Sequence, residues 1–206
     1  MASSNAGKLR EFRDAAALRG INVEALPDFA NYPLCIEDGA TFEANARKKA
    51  IHYSLGGRGL VFADDSGISV DALGGAPGVF SARFAGSQAT DAQNNQRLLE
   101  ELHGRERPQP DPAVQVVNSL SDRAAHYVCV IALAEAGRVL VTVEGRADGV
   151  IIDDPRGSGG FGYDPYFFFP PAGKTFAEMQ PEEKFAVSHR GEAFRKLLEI
   201  IMNYEL

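Results

Sequence analysis

The chain has 206 residues and a mass of 22.2 kDa, the size of one domain or of one domain carrying an inserted lobe, and a single domain over 1–206 is expected. Its 45% hydrophobic and 24% charged residues are near globular averages, which excludes disordered and fibrous classes. A net charge of −7 lacks the broad positive field of a non-specific nucleic-acid binder, so no nucleic-acid partner is expected and a polyanionic ligand would need a local basic pocket or a metal.

Asn5 or Ser4 can cap a first helix running to about Arg19, with Leu9, Phe12 and Ala16 on one stripe. Met1-Ala2 is too short for a strand leading into that helix, so weak anchoring of the start is expected, and either the natural start lies further upstream or the segment from Ser3 to Lys8 is partly disordered. Thr41 can cap a second helix to about Leu55, with Phe42, Ala46, Ala50 and Tyr53 facing inward. Leu60 to Ala63 reads as a short buried strand that stops at Asp64-Asp65-Ser66-Gly67. Thr90 and Gln93 form a capping-box pattern before Leu98, Leu99 and Leu102.

From about 104 to 124 the chain holds three prolines among charges and then loses periodicity, the pattern of an exposed, mobile connection. His126 to Ala134 and Arg138 to Glu144 read as a hairpin turning at Glu135-Ala136-Gly137. A strand from Tyr166 to Phe169 follows the glycine-rich Gly157 to Gly162, and a last helix from about Gly191 to Tyr204 turns Phe194, Leu197, Leu198 and Ile201 inward. The alternation gives an α/β class. The longest apolar run, Tyr127 to Ala134, is too short to span a membrane, and the first residues have no apolar signal core. No membrane partner and a cytoplasmic location follow as expectations, with Cys35 and Cys129 as free, buried thiols.

Four stretches carry possible chemistry. Gly157 to Gly162 matches GxGxxG literally, but Asp164-Pro165 and an aromatic strand follow where a dinucleotide fold needs a helix. It reads as a glycine loop that lets backbone approach a ligand. Ala6-Gly7-Lys8 lacks the leading glycine and trailing hydroxyl of a Walker loop, yet helix amides, the helix dipole and Lys8 converge there and favour an anion. Asp64-Asp65 sets two carboxylates side by side, which repel unless a hard cation such as Mg²⁺ neutralises them, and Glu37 and Asp38 add acidic candidates. Lys184, His189 and Arg190 gather three cations near the last helix. Taken separately, each stretch also fits an ordinary turn, a capped helix or a solvated charged face. Together they are what a nucleoside triphosphate site needs in an acidic protein.

In order along the chain, Ser3-Ser4-Asn5-Ala6-Gly7-Lys8, Glu37 with Gly39 to Phe42 and Asn45-Ala46, Ala63 to Gly67, Leu73 to Gly78 with Ser81-Ala82-Arg83, Gly159 to Pro165, and Glu183-Lys184 with Ser188-His189-Arg190 resemble the inosine triphosphate pyrophosphatase family. This family is also called Ham1 or the non-canonical purine NTP pyrophosphatases. The resemblance implies an α/β, two-lobed fold with a long mixed sheet flanked by helices, an active site in the cleft between lobes, and a homodimer. It implies Mg²⁺-dependent hydrolysis of ITP, dITP and XTP to the monophosphate and pyrophosphate.

By position, Asp65 matches the family's general base and metal ligand and Glu37 a metal-site carboxylate, with neighbouring Asp64 a further candidate for both roles. Ser3, Ser4, Asn5, Ala6, Gly7 and Lys8 match the phosphate-binding segment, and Ser66 a substrate contact. Phe161, Gly162, Tyr163, Asp164, Lys184, His189 and Arg190 match residues that hold the nucleotide, and the amides of the Phe161 to Asp164 turn are expected to read the base with His189 and Arg190. The nearest rival is a related pyrophosphatase acting on modified pyrimidines. A nucleotide sensor without turnover is disfavoured, because it has no need of a metal-activated water.

Overall fold

The computed structural model describes residues 1–3, 5–17, 19–56, 59–105 and 123–203. Three helices begin where short polar side chains take up amides that a helix cannot satisfy itself. Asn5 Oδ1 accepts the Lys8 amide at 3.0 Å to start α1 (Ala6–Ala17), Thr41 accepts the Ala44 amide to start α2 (Phe42–Ser54), and Thr90 with Gln93 closes a capping box on α3 (Asp91–His103). The expected connection from 104 to 124 lies, apart from its ends, outside the described residues, as does Ser4.

Five strands form one sheet in the order β1 (Val61–Val70), β2 (Ala124–Glu135), β3 (Arg138–Ile151), β4 (Phe167–Phe169) and β5 (Lys174–Thr175). Ala136 and Gly137, at φ 47° and 80°, supply the left-handed pair that a two-residue hairpin between β2 and β3 requires. Further along, β3 and β4 pair antiparallel with Ile151 opposite Phe167, and β4 and β5 with Phe169 opposite Lys174. Two strands outrun their sequence signal. The first passes through Asp64, Asp65, Ser66 and Gly67 instead of stopping at Ala63, because Asp64 and Asp65 are buried with partners. The third continues past Glu144, because Gly145 and Gly149 mark close packing on the strand rather than breaks in it.

The chain divides into two compact units. The first holds the described residues from Met1 to Ser66, from Val128 to Arg146 and from Phe185 onward, and the stretches of β1 and β2 within it are covered on both faces. Alternation sends Phe62, Cys129, Ile131 and Leu133 to one face, where Phe12 and Ala16 of α1 and Phe194 and Leu197 of α5 (His189–Asn203) pack. It sends Val61, Ala63, Val130, Ala132 and Ala134 to the other face, against Ala46, Ala50 and Tyr53 of α2. Met1 and Ala2 do not fray: both are buried, Ala2 N donates to Phe62 O and Leu26 N donates to Met1 O, each at 2.9 Å.

In the second unit, Ile68, Val70, Tyr127 and Ile151 pack with Leu98 and Leu102 of α3. Phe167 anchors this core, its ring centroid 4.7 Å from Tyr127 and 4.8 Å from Phe176. A helix the sequence pattern does not signal, α4 (Pro181–Val187), precedes α5, which begins at His189 rather than Gly191. Among the described residues no helix is long and apolar enough to cross a membrane, and both cysteines are free and buried.

Close approach explains Gly145. A Cβ there would run into the backbone oxygen of His189 and the backbone nitrogen of Ala193, neither of which can step aside. Gly145→Ala is therefore expected to lift the start of α5 and cost about 2 kcal/mol or more, read as a lower urea midpoint at unchanged slope. A wild-type midpoint would contradict this packing.

Candidate active site

The pleat of β1 decides where its acidic residues go. Asp64 and Ser66 project to the same face as Phe62, towards α1 and α5, while Asp65 projects with Ala63 towards α2. On the first face Lys8 Nζ lies 2.7 Å from Asp64 Oδ2, and Ser66 Oγ donates to the same oxygen at 3.4 Å. Arg190 joins this group, one guanidinium nitrogen on Glu11 and the other donating to Ser66 Oγ at 3.3 Å. On the second face Asn45 Nδ2 donates to Asp65 Oδ2 at 3.0 Å. Lys49 Nζ lies 3.5 Å from Asp65 Oδ1 and 2.7 Å from Glu37 Oε2. Asn45 Oδ1 also accepts the Gly39 amide at 2.8 Å, which pins the loop carrying Glu37 to α2.

The two neighbouring carboxylates thus face opposite sides of the strand. Each has a lysine of its own at ion-pair distance, and Lys49 also bears on Asp64. Their proton affinities diverge accordingly. Burial opposes ionisation of Asp64, but Lys8, Arg190 and Lys49 more than offset it and hold the group below the ordinary carboxylate range. For Asp65 burial prevails over Lys49 and Asn45, and the group is pushed up. Burial would lower the proton affinity of Lys49, yet Asp65, Asp64 and Glu37 together raise it. Asp64 is a fixed anion, and Asp65 is a carboxylate suited to taking a proton.

Among the described residues no group of three or more His, Cys, Asp and Glu side chains gathers as a metal site. Glu37 and Asp65 nevertheless meet around one cationic group, the Lys49 ammonium. Two carboxylates brought this close suit Mg²⁺, which commonly takes its other ligands from phosphates and water. Asp64 is turned to the opposite face and held by Lys8.

The second unit carries the glycine-rich turn. Asp164 and Lys184 form a buried ion pair at 2.6 Å, and Lys184 Nζ stands 4.9 Å from the centroid of the Phe161 ring. The Asp164 carboxylate also accepts the Phe161 amide at 2.9 Å and the Tyr127 hydroxyl at 3.4 Å. A Cβ on Gly160 would fall on that carboxylate, which accounts for the glycine. The turn's amides are already engaged: Phe161 N on Asp164, Gly162 N on Asp91 Oδ2 at 2.7 Å, and Asp164 N on Phe161 O at 3.3 Å. Those three do not fit the expected role of reading a base. The Phe161 ring is half-buried with Lys184 over it, and Tyr163 is buried with its hydroxyl donating to Ser81 O at 2.7 Å.

A profile of the Ham1 family matches residues 1–200. The chain belongs to the Ham1 family. It is 47% identical over 199 residues to the dITP/XTP pyrophosphatase of Geobacillus kaustophilus, covering 97% of this chain and 91% of that one. Against the dITP/XTP pyrophosphatase of Desulfotalea psychrophila the identity is 45% over 197 residues, 96% and 82% of the two chains. The solved structure of a HAM1 protein from Coxiella burnetii superposes with a TM-score of 0.84 at 39% identity, covering 98% of this chain and 97% of that one.

In this Ham1-family chain the structure groups Lys8, Asp64, Ser66 and Arg190 on one face of β1, and Glu37 with Asp65 on the other. Ser3 and Asn5 shape the start of α1, with Ser3 Oγ accepting the Asn5 amide at 3.1 Å; Ala6 and Gly7 form the first helical turn. His189 is buried at the start of α5. Sequence reasoning missed Lys49, Asn45 and Glu11 as site residues. A signal existed for Lys49: it interrupts the stripe of Ala46, Ala50 and Tyr53 with a charge that must be buried and answered.

Lys8→Met should leave Asp64 without its closest cation and cost roughly 3 kcal/mol at neutral pH. Because the folded Asp64 pKa lies below the unfolded 3.8, its stabilisation is complete above that value and is lost as pH falls through the lower folded one. Urea unfolding across a pH series should show the gap between wild type and variant narrowing below pH 3.8. A constant gap would contradict the assignment.

Proposed function

We propose that this Ham1-family protein is a nucleoside-triphosphate pyrophosphohydrolase that converts ITP, dITP and XTP to the monophosphate and pyrophosphate, with water attacking the α-phosphorus and Mg²⁺ as cofactor. The observation that carries this reading is Asp65, a buried carboxylate of raised proton affinity held by Asn45, with Glu37 brought beside it through Lys49. The names of the relatives, dITP/XTP pyrophosphatase, support the substrate class. A cytoplasmic homodimer acting as one catalytic domain belongs to the same proposal and rests on the family resemblance.

Glu37 and Asp65 would hold the Mg²⁺, which when bound neutralises phosphate charge and polarises the phosphoryl group. Asp65 takes the proton of the attacking water, and Asn45 fixes the orientation of its carboxylate. Lys49 keeps Glu37 and Asp65 together and adds positive charge on that face. Lys8 and the first amides of α1 receive phosphate oxygens, with Asp64 holding the lysine in place. By the family resemblance, Phe161, Lys184, His189 and Arg190 match residues that hold the nucleotide, and within its own unit Phe161 offers a flat surface suited to a base. Positioning and charge do most of the work, and no covalent intermediate is needed.

Incubated with Mg²⁺, ITP should yield IMP and intact pyrophosphate, and chelation should abolish turnover; IDP with orthophosphate would overturn the reading. Asp65→Asn should lower kcat by at least about 10²-fold while leaving the fold intact. Since the Asp65 pKa is raised above 3.8, the active carboxylate is lost as pH falls through a value higher than that. The acid limb of the kcat/KM profile should therefore lie above pH 3.8 and vanish from the residual activity of Asp65→Asn. An unchanged limb would assign it to another group.

A further inference from the structure

The glycine-rich turn is held from one side by α3, a helix that none of the site assignments above uses. Asp91, in its first turn, accepts the Gly162 amide on Oδ2 at 2.7 Å. Asn95, one turn further on and 6% exposed, donates from Nδ2 to the Gly162 carbonyl at 2.9 Å, and the same nitrogen donates to Asp91 O at 2.9 Å. Both hydrogens of that amide are thereby used, one on its own helix and one on the turn. Next to it, Asn94 accepts the Ala85 amide at 2.8 Å and donates to Ala82 O at 3.2 Å, while the Tyr163 hydroxyl reaches Ser81 O. The segment from Ser81 to Ala85, whose motif the proposed mechanism leaves without a role, is thus tied to the same helix and the same turn.

We propose that Asp91 and Asn95 are positioning residues for purine selectivity, acting by gripping Gly162 at both its N–H and its C=O. The inference rests on the reading that the Phe161 to Asp164 turn holds the base. Gly162 sits at φ 63° with nothing within 4 Å of a would-be Cβ, so its own place is set by its backbone hydrogen bonds and by its anchored neighbour Tyr163. The hydrogen bonds from Asp91 and Asn95 engage both polar groups of Gly162, and with the Phe161 amide on Asp164 and the Tyr163 hydroxyl on Ser81 O they restrain the backbone beneath the Phe161 ring. Stacking on an aromatic ring is tolerant of base identity, since every base has a π-face. Discrimination therefore depends on the in-plane register of the base edge, and register depends on how firmly the ring is held. Loosening Gly162 should leave stacking but blur that register.

The test compares kcat/KM for ITP and ATP in single preparations of wild type, Asp91→Ala, Asn95→Ala, the double variant and Asp91→Asn. The ratio of the two values does not change with the fraction of protein folded, so a purely structural role would not move it. Each alanine variant should lose about 10-fold in the ITP-to-ATP ratio, mainly through KM for ITP, with kcat for ITP within about 3-fold of wild type. The double variant should fall little further than either single one, because both residues hold the same glycine. Asp91→Asn keeps an acceptor oxygen and should restore most of the ratio. Wild-type ratios in both alanine variants would overturn the positioning role while leaving the proposed activity standing. A wild-type enzyme with no preference for ITP over ATP would instead remove the base preference itself, and this inference with it.

Discussion

Burial of two consecutive carboxylates in a strand covered on both faces is the constraint from which much of the first unit follows. Taking an ion out of water costs several kcal/mol even after relaxation, unless an opposite charge and good hydrogen bonds meet it. The pleat points Asp64 and Asp65 in opposite directions, so each meets an ion-pair partner of its own while Lys49 bears on both. The α1 and α5 layer brings Lys8 and Arg190 to one, and α2 brings Lys49 and Asn45 to the other. Each of these helices accordingly carries a polar or charged residue against the sheet, where an apolar one would pack more simply. Buried ion pairs add little net stability over apolar packing, which favours a chemical reason for keeping these.

The same physics also separates the two acids by role. Identical in type and adjacent in sequence, they differ because three cations bear on Asp64 whereas burial dominates at Asp65. One becomes an anchor for a lysine and the other a group able to exchange a proton. The second unit repeats the device once, with Lys184 answering the buried Asp164 and standing over Phe161. There the carboxylate's remaining hydrogen bonds organise a turn rather than a strand.

What the sequence discloses and what it hides divide along physical lines. Helix starts are legible because their signal is local: Asn5, Thr41, and Thr90 with Gln93 cap as their positions indicate. The hairpin at Ala136-Gly137 is legible for the same reason. Strand ends are not, since Asp64-Asp65-Ser66-Gly67 looks like a turn until the partners that allow its burial are known, and those lie 56 residues away at Lys8 or 124 away at Arg190. Short sequence start and weak anchoring also part company, because Met1 and Ala2 find backbone partners at Leu26 and Phe62 that no local pattern announces. Of the site, ordered motifs point to most of the acids and cations. Lys49, Glu11 and Asp91 escape because their meaning lies in what they touch.

The central claim is that water, deprotonated at Asp65, attacks the α-phosphorus of a purine nucleoside triphosphate. Hydrolysis of ITP in ¹⁸O-enriched water, with the products separated and weighed by mass spectrometry, tests it most directly. The account predicts one ¹⁸O in IMP and none in pyrophosphate; label in the pyrophosphate instead would place the attack on the β-phosphorus and contradict it.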